Sequence, residues 1–304
     1  MTAVPLSSTM KPICFAIVYY LRMSAPNLHK DDNLTSPPAI RAYLGGSFDP
    51  VHKGHLQIAM RVYQVLLPIA ERQQRELHVS LLPNARSPFK DESTNPKHRL
   101  AMLKLVTTNT PLQINELELW QTPPVYTINS VQTLRERHPN DSLIFIMGMD
   151  SARSLDMWKD GLNLTNYVNL WIFNRTKSSN LSIPSLVAYT DNDPCSLSLQ
   201  DIDNLYSELP KQLQAQTTRT VQDLVQPFNG SAHNRSSFLK SASRGRIYID
   251  QHQVSAISST EIRKQLQKRA ARADTAPNTL IQLINPTVYQ YIIAHQLYSA
   301  VQFR

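Results

Sequence analysis

The chain has 304 residues, 41% of them hydrophobic, enough to bury one substantial core or two small ones. Its formal net charge of +8 suits a polyanionic partner, a description that nucleotides satisfy as well as nucleic acid does. Two cysteines, Cys14 and Cys195, lie too far apart for a disulfide framework and point to a reducing, cytoplasmic setting, and the apolar run at 13–21 is too short to span a bilayer.

That run sits between Lys11 and Arg22 with no small-x-small cleavage site after it, so 1–39 is expected to be a disordered or non-native extension, Met23 being the favoured initiator. Residues 40–304 are then one domain. Residues 41–44 read as a strand broken by Gly45-Gly46, and Leu56, Ile58, Ala59 and Val62 follow at helical spacing, giving strand, glycine turn, helix. A strand at 77–82 (LHVSLL) ends at Pro83-Asn84, and 97–106 places Leu100, Leu103 and Val106 on one helical stripe. A short strand at 112–114, a helix at 127–137 and the continuous apolar run 143–147 (LIFIM) come next, the last as expected of a strand covered on both faces.

Beyond Gly148 the pattern predicts a short helix through Leu155 and Trp158, then strands at 168–173 and 247–249. Between them 177–245 is rich in serine, asparagine and glutamine, with one helical island near 201–216, and is expected to be a surface insertion. A closing amphipathic helix over 285–298 is packed by Val288, Tyr291, Ile292 and Leu297. Strands alternating with helices predict an α/β fold, a doubly wound parallel sheet with a C-terminal helical segment, whose ligands bind beyond the carboxyl ends of the strands.

Two stretches carry chemistry. In GGSFDPVHKGH, bare glycine backbone and a following helix start make an anion site, and His52 and His55, three apart, bring two imidazoles to its mouth. In ISSTEIR, Ser258 with Glu261 fits a capping box, Ser259 and Thr260 add hydroxyls at the helix start, and Arg263 adds a cation one turn on. Asp150 at a strand end suits a ribose hydroxyl or a structural cap, Trp158 is core or a stacking surface, and Arg175 is a phosphate or carboxylate contact or a solvated side chain. No carboxylate cluster for a protein-bound metal is apparent, and neither cysteine looks catalytic.

The first stretch resembles the H-x-G-H signature of the nucleotidyltransferases related to class I aminoacyl-tRNA synthetases, most closely the nicotinate-nucleotide adenylyltransferase branch; ISSTEIR, the G-x-D element with Trp158 eight residues after Asp150, and Tyr126-Thr127 are similar to that branch as well. The resemblance implies a Rossmann-like nucleotidyltransferase fold that transfers the adenylyl group of ATP, with Mg2+ carried on it, to nicotinate mononucleotide, giving deamido-NAD and pyrophosphate. It implies ATP contacts at Gly45, Gly46, Ser47, Phe48, His52, His55, Gly148, Asp150, Ser258, Ser259, Thr260 and Arg263, with His52, His55 and Arg263 catalytic. Nicotinate mononucleotide falls to Asn84, Lys90, Tyr126, Thr127, Trp158 and Arg175. Phe89 stands where that branch often has histidine, which bears on mononucleotide recognition. Nicotinamide mononucleotide, phosphopantetheine and an inactive nucleotide-binding regulator stay open as alternatives. Neither nucleic acid nor membrane is expected as a partner, and a homo-oligomer is left open.

Overall fold

A computed structural model of the chain describes residues 37–86, 93–176, 196–226, 244–272 and 283–298. Of the expected extension over 1–39, residues 1–36 lie outside them, while Ala39 is buried and donates its N–H to Asp141 Oδ1 at 2.8 Å, and so belongs to the domain. Strand β1 (Ile40–Gly46) buries Ala42, Tyr43 and Leu44 in succession, because helices on both sides of a parallel sheet leave it no wet face. Helix α1 (Lys53–Arg72) turns Leu56, Ala59, Val62, Leu66 and Ile69 to the sheet. Strand β2 (Leu77–Pro83), helix α2 (Pro96–Thr107, whose cap Asn95 accepts from the Lys97 N–H at 2.9 Å) and strand β3 (Leu112–Ile114) complete the first half.

The second half runs through helix α3 (Thr127–Arg137), strand β4 (Ser142–Gly148), one turn of helix α4 (Met149–Ala152), 3-10 turns at Leu155–Met157 and Gly161–Asn166, and strand β5 (Asn169–Phe173). After strand β6 (Arg175–Thr176) come helices α5 (Leu199–Ser207) and α6 (Lys211–Gln214), strand β7 (Thr217–Thr218) and a 3-10 turn at Val221–Val225. Strands β8 (Ile247–Ile249) and β9 (Val254–Ser255) lead to helices α7 (Ser259–Arg272) and α8 (Pro286–Ala294).

Seven strands form one parallel sheet in the order β3-β2-β1-β4-β5-β8-β7, with β6 and β9 paired beside it. Leu44 lies opposite Leu81 on one side and Ile146 on the other. Period-two alternation divides the core: Leu44, Ile144, Ile146, Trp171 and Phe173 pack under α1, while Tyr43, Phe145, Met147, Leu170 and Ile172 pack under α3 and α5. The chain builds outward from β1 to β3, then crosses back to β4, so the strand order reverses between β1 and β4 and opens a crevice there.

The structure departs from the sequence expectations in three places. Gly45 and Gly46 do not form the turn; they end β1 with no positive φ, and the reversal falls at Phe48, whose φ is 48°. Trp158 follows a 3-10 turn and not a regular helix. The third departure is larger, since the described middle of the expected surface insertion is core. Ile202, Leu205, Tyr206, Leu209 and Leu213 join one side of the sheet, Val221, Leu224 and Val225 the other, and β7 extends the sheet by pairing with β8. Their three- and four-residue spacing is that of a buried helix face, diluted by the polar residues between. Leu224→Ala should therefore cost about 2–5 kcal/mol of unfolding free energy in urea titrations, as for a buried leucine; a loss within about 0.5 kcal/mol would return the segment to the surface.

Candidate active site

At the carboxyl ends of β1 and β4 lies a cleft of about 1020 Å³. From the first motif it is lined by Gly45, Gly46, Ser47, Phe48, His52 and His55, and from the second by Ser258, Ser259 and Thr260. Asn84, Tyr126, Thr127, Gly148, Asp150, Trp158 and Arg175 complete the expected residues present in it. Lys90 lies outside the described residues, and Arg263 is the one described candidate that does not line the cleft.

The imidazole pair is set by backbone. His52 is the extended residue that caps α1, and its N–H meets His55 Nδ1 at 3.3 Å. A backbone N–H can only donate, so His55 Nδ1 is the acceptor and its proton sits on Nε2. The two rings stack at 3.7 Å with 22° between planes, and the Phe48 ring meets His55 edge-on at 4.8 Å. Gly45 is required by close approach: a Cβ there would stand 2.6 Å from the Phe145 ring of β4. His52 is buried and its Nδ1 has no hydrogen-bond partner among the described residues. Burial, and then the Arg175 guanidinium, push its pKa down to about 3.

The loop that carries these histidines is braced from several directions. Arg99 of α2, fully buried, donates to the carbonyls of Thr94 (3.1 Å), Ser47 (2.9 Å), Asn84 (2.7 Å) and Ala85 (2.6 Å). Asp49 accepts from the Tyr298 hydroxyl at 2.6 Å and the Thr94 N–H at 3.1 Å. Burial and Asp49 together raise the Tyr298 phenol well above its ordinary range. Arg263 belongs to this brace: it donates to the Asp49 carbonyl at 2.6 Å and to Thr260 Oγ1 at 3.3 Å, while Ser259 Oγ donates to the Pro50 carbonyl at 3.0 Å. Arg263, expected as a direct ATP contact, here ties α7 to the loop before α1 through the carbonyl of Asp49, 214 positions away in the chain, and reaches the Thr260 hydroxyl one helical turn away.

On the opposite wall Tyr126 precedes α3, where the first N–H groups of a helix have no intrahelical acceptor. Trp158 is partly buried against the core, next to Met157, which is 76% exposed, and Lys159 holds its ammonium 4.7 Å from the centre of the Tyr126 ring. Around Gly148 a Cβ would meet Asp150 Oδ1 at 2.4 Å and Arg175 Nε at 3.5 Å, so a carboxylate and a guanidinium flank the end of β4. Sequence reasoning missed Glu118, a buried carboxyl that lines the cleft and is raised by burial against the opposing Ser130 hydroxyl. It missed Lys159 as well. The only signal was proximity, of Glu118 to Tyr126 and of Lys159 to Trp158.

The depressed His52 pKa has a consequence for stability. Between about pH 6.5, its unfolded value, and about pH 3 the unfolded chain holds a proton here that the folded chain does not, so stability from this residue is present above the window and is lost as pH falls. Between about pH 7 and about pH 5, the stability of His52→Asn should fall less than that of the wild type, by about 2 kcal/mol. Parallel acid titrations of the two would assign the loss to other groups.

Comparison with known proteins identifies the family. Residues 43–265 match the family model described as cytidylyltransferase-like. A probable nicotinate-nucleotide adenylyltransferase of Idiomarina loihiensis is 30% identical over 85% of this chain and 99% of its own length, and one of Shewanella frigidimarina is 29% identical over 84% and 97%. Among solved structures, the nicotinic acid mononucleotide adenylyltransferase of Plasmodium falciparum complexed with NaAD shares the fold, with a TM-score of 0.54 at 18% identity over 86% of this chain and 97% of that one. With its family signature spanning most of the sheet and its full-length relatives, the chain belongs to the cytidylyltransferase-like family, in the nicotinate-nucleotide adenylyltransferase branch.

Proposed function

We propose that the chain transfers the adenylyl group of ATP to nicotinate mononucleotide, giving deamido-NAD and pyrophosphate. One observation carries this reading beyond family membership: His52, His55, Arg175 and the start of α7 face one concavity at the β1/β4 crevice, across from a wall of Tyr126, Thr127 and Trp158. The first group is a set of donors suited to a polyphosphate, the second an aromatic surface beside free helix N–H groups, suited to a flat ring bearing a carboxylate.

In the transfer, a 5′-phosphate oxygen of the mononucleotide bonds to the α-phosphorus of ATP, and the bond from that phosphorus to the bridging oxygen breaks, the electron pair leaving with pyrophosphate. Phosphate is already a nucleophile near neutral pH, so the protein's part is to align two anions and stabilise the charge that moves between them. His55 donates through Nε2–H. His52, kept neutral by burial, donates without adding a fixed charge, and Ser258 and Thr260 at the start of α7 receive the outer phosphates. Arg175, expected on the mononucleotide side, lies close enough to His52 to depress its pKa and is assigned here to the junction of the two substrates. Arg263 keeps the α7 start in register with the loop.

ATP brings a divalent ion, which we take to be Mg2+, and which neutralises triphosphate charge. Among the described residues no three His, Cys, Asp or Glu side chains gather as ligands, so the donor set fits an ion held by phosphate oxygens, with Asp150 the exposed carboxylate in reach. Among the described residues no helix is long and apolar enough to cross a membrane, and we place the activity in the cytoplasm, where ATP is supplied.

The test is pyrophosphate release with ATP and, in turn, nicotinate mononucleotide, nicotinamide mononucleotide and phosphopantetheine. The acid mononucleotide should give the highest kcat/KM, and His55→Ala should lower its kcat by about a hundredfold, as loss of a transition-state donor does. A higher value for the amide would move the acceptor assignment, and undiminished turnover in His55→Ala would remove that residue from catalysis.

A further inference from the structure

Outside the cleft, a buried polar cluster joins three elements that each hold part of the phosphate-facing wall. Asp250, which follows β8 and whose N–H continues the ladder to the Ile172 carbonyl at 2.8 Å, is wholly buried. Its Oδ2 accepts from Trp171 Nε1 at 3.0 Å, and its Oδ1 accepts from the His252 N–H at 2.8 Å. Arg61, two turns into α1, places Nη2 2.7 Å from His252 Nδ1 and Nε 3.7 Å from Asp250 Oδ2. An arginine can only donate, so His252 Nδ1 accepts and its proton is on Nε2. The 3.3 Å approach of Nδ1 to Asp250 Oδ1 is then a contact between two acceptors, offset by the positive guanidinium of Arg61 beside both residues.

The chain beyond Asp250 runs from this cluster directly into the phosphate-facing wall. Two residues past His252, Val254 donates to the Asn174 carbonyl at 3.1 Å and β9 pairs with β6, the strand that carries Arg175. Three residues further, buried Ile257 packs at Gly54, between the two histidines, and Ser258 begins the α7 start. None of Arg61, Asp250 and His252 lines the cleft.

We infer that Asp250, His252 and Arg61 are positioning residues, which hold the Arg175 strand and the Ser258–Thr260 helix start in register with the His52–His55 helix and so set the geometry of the triphosphate cradle. The cluster ties the far side of α1 to the segment whose other end receives phosphate. Its loss lets β9 and Ile257 shift against α1 while the Tyr126–Trp158 wall, on α3 and after α4, stays in place. The inference rests on the adenylyl-transfer reading for the identity of the triphosphate.

The experiment compares His252→Leu, which removes the acceptor for Arg61, with His252→Asn, whose amide oxygen can stand near Nδ1 and accept. Binding of an ATP analogue with a methylene group between the α and β phosphorus atoms is measured by calorimetry, and KM is measured for ATP and for nicotinate mononucleotide. In His252→Leu the analogue should bind at least about tenfold more weakly and the KM for ATP should rise alike, with the KM for the mononucleotide within about twofold of wild type; His252→Asn should recover analogue binding to within about threefold. Arg61→Gln, at a partly exposed position, should show the same split and serves if His252→Leu does not fold. Equal weakening of both substrates, unchanged analogue binding, or an Asn variant as impaired as Leu would overturn the positioning role. Wild-type protein that binds the analogue but releases no pyrophosphate with either mononucleotide would reject the reaction instead, and analogue binding in the variants would still decide this proposal.

Discussion

The site depends on a guanidinium with no access to water. The main chain that leaves β1 and β2 has to turn over the top of the sheet, where its carbonyls lose the ladder partners they have within the strands. Arg99 supplies those partners from one side chain, bonding the carbonyls of Ser47, Asn84, Ala85 and Thr94. Burying the charge is costly, and burial draws the Arg99 pKa down while Asp49 opposes it. The charge is also what makes each of the four bonds strong, and a planar fork of donors holds the loops after β1 and β2 in one geometry where a lysine would make fewer of the bonds. Ser47 and Asn84, whose carbonyls are held in this way, are themselves in the cleft wall.

Around that clamp the site is assembled from donors of low net charge. His52 is neutral and stacked on His55, so the wall offers N–H and O–H groups more than fixed cations, with Arg175 close by. Such a wall favours a charge that develops on phosphate oxygens over one that is merely present, because the donors are already oriented. The net charge of +8 belongs to the whole chain and does not by itself locate this site.

The strand order explains why the pieces meet. Reversal between β1 and β4 brings Gly45 against Phe145, and the same crevice receives Arg175 from beyond β5 and the α7 start from beyond β8. The segment 196–226 supports that arrangement from the far edge, since β7 closes the sheet beside β8 and Leu224 and Val225 fill the layer beneath it. A serine-rich composition concealed this, because burial needs only a stripe of apolar residues and not an apolar average.

The strands β1, β2, β4 and β5 were legible as apolar runs, and the two motifs were legible because each is continuous in the chain, its helix start and side chains a few residues apart. The order of elements that makes the sheet parallel, and the family that the motifs resemble, were equally open to a reading of the chain alone. It took tertiary packing to tie Arg263 and α7 to the Asp49 loop, to make Arg99 a clamp and not one face of a core helix, and to bring Glu118 and Lys159 to the cleft. Tyr298 and Asp49 are 249 positions apart, and no local periodicity encodes such a pair. The physical reason is reach: hydrophobic spacing and capping act within a few residues, whereas a buried polar group takes whichever partner the packed chain brings to it.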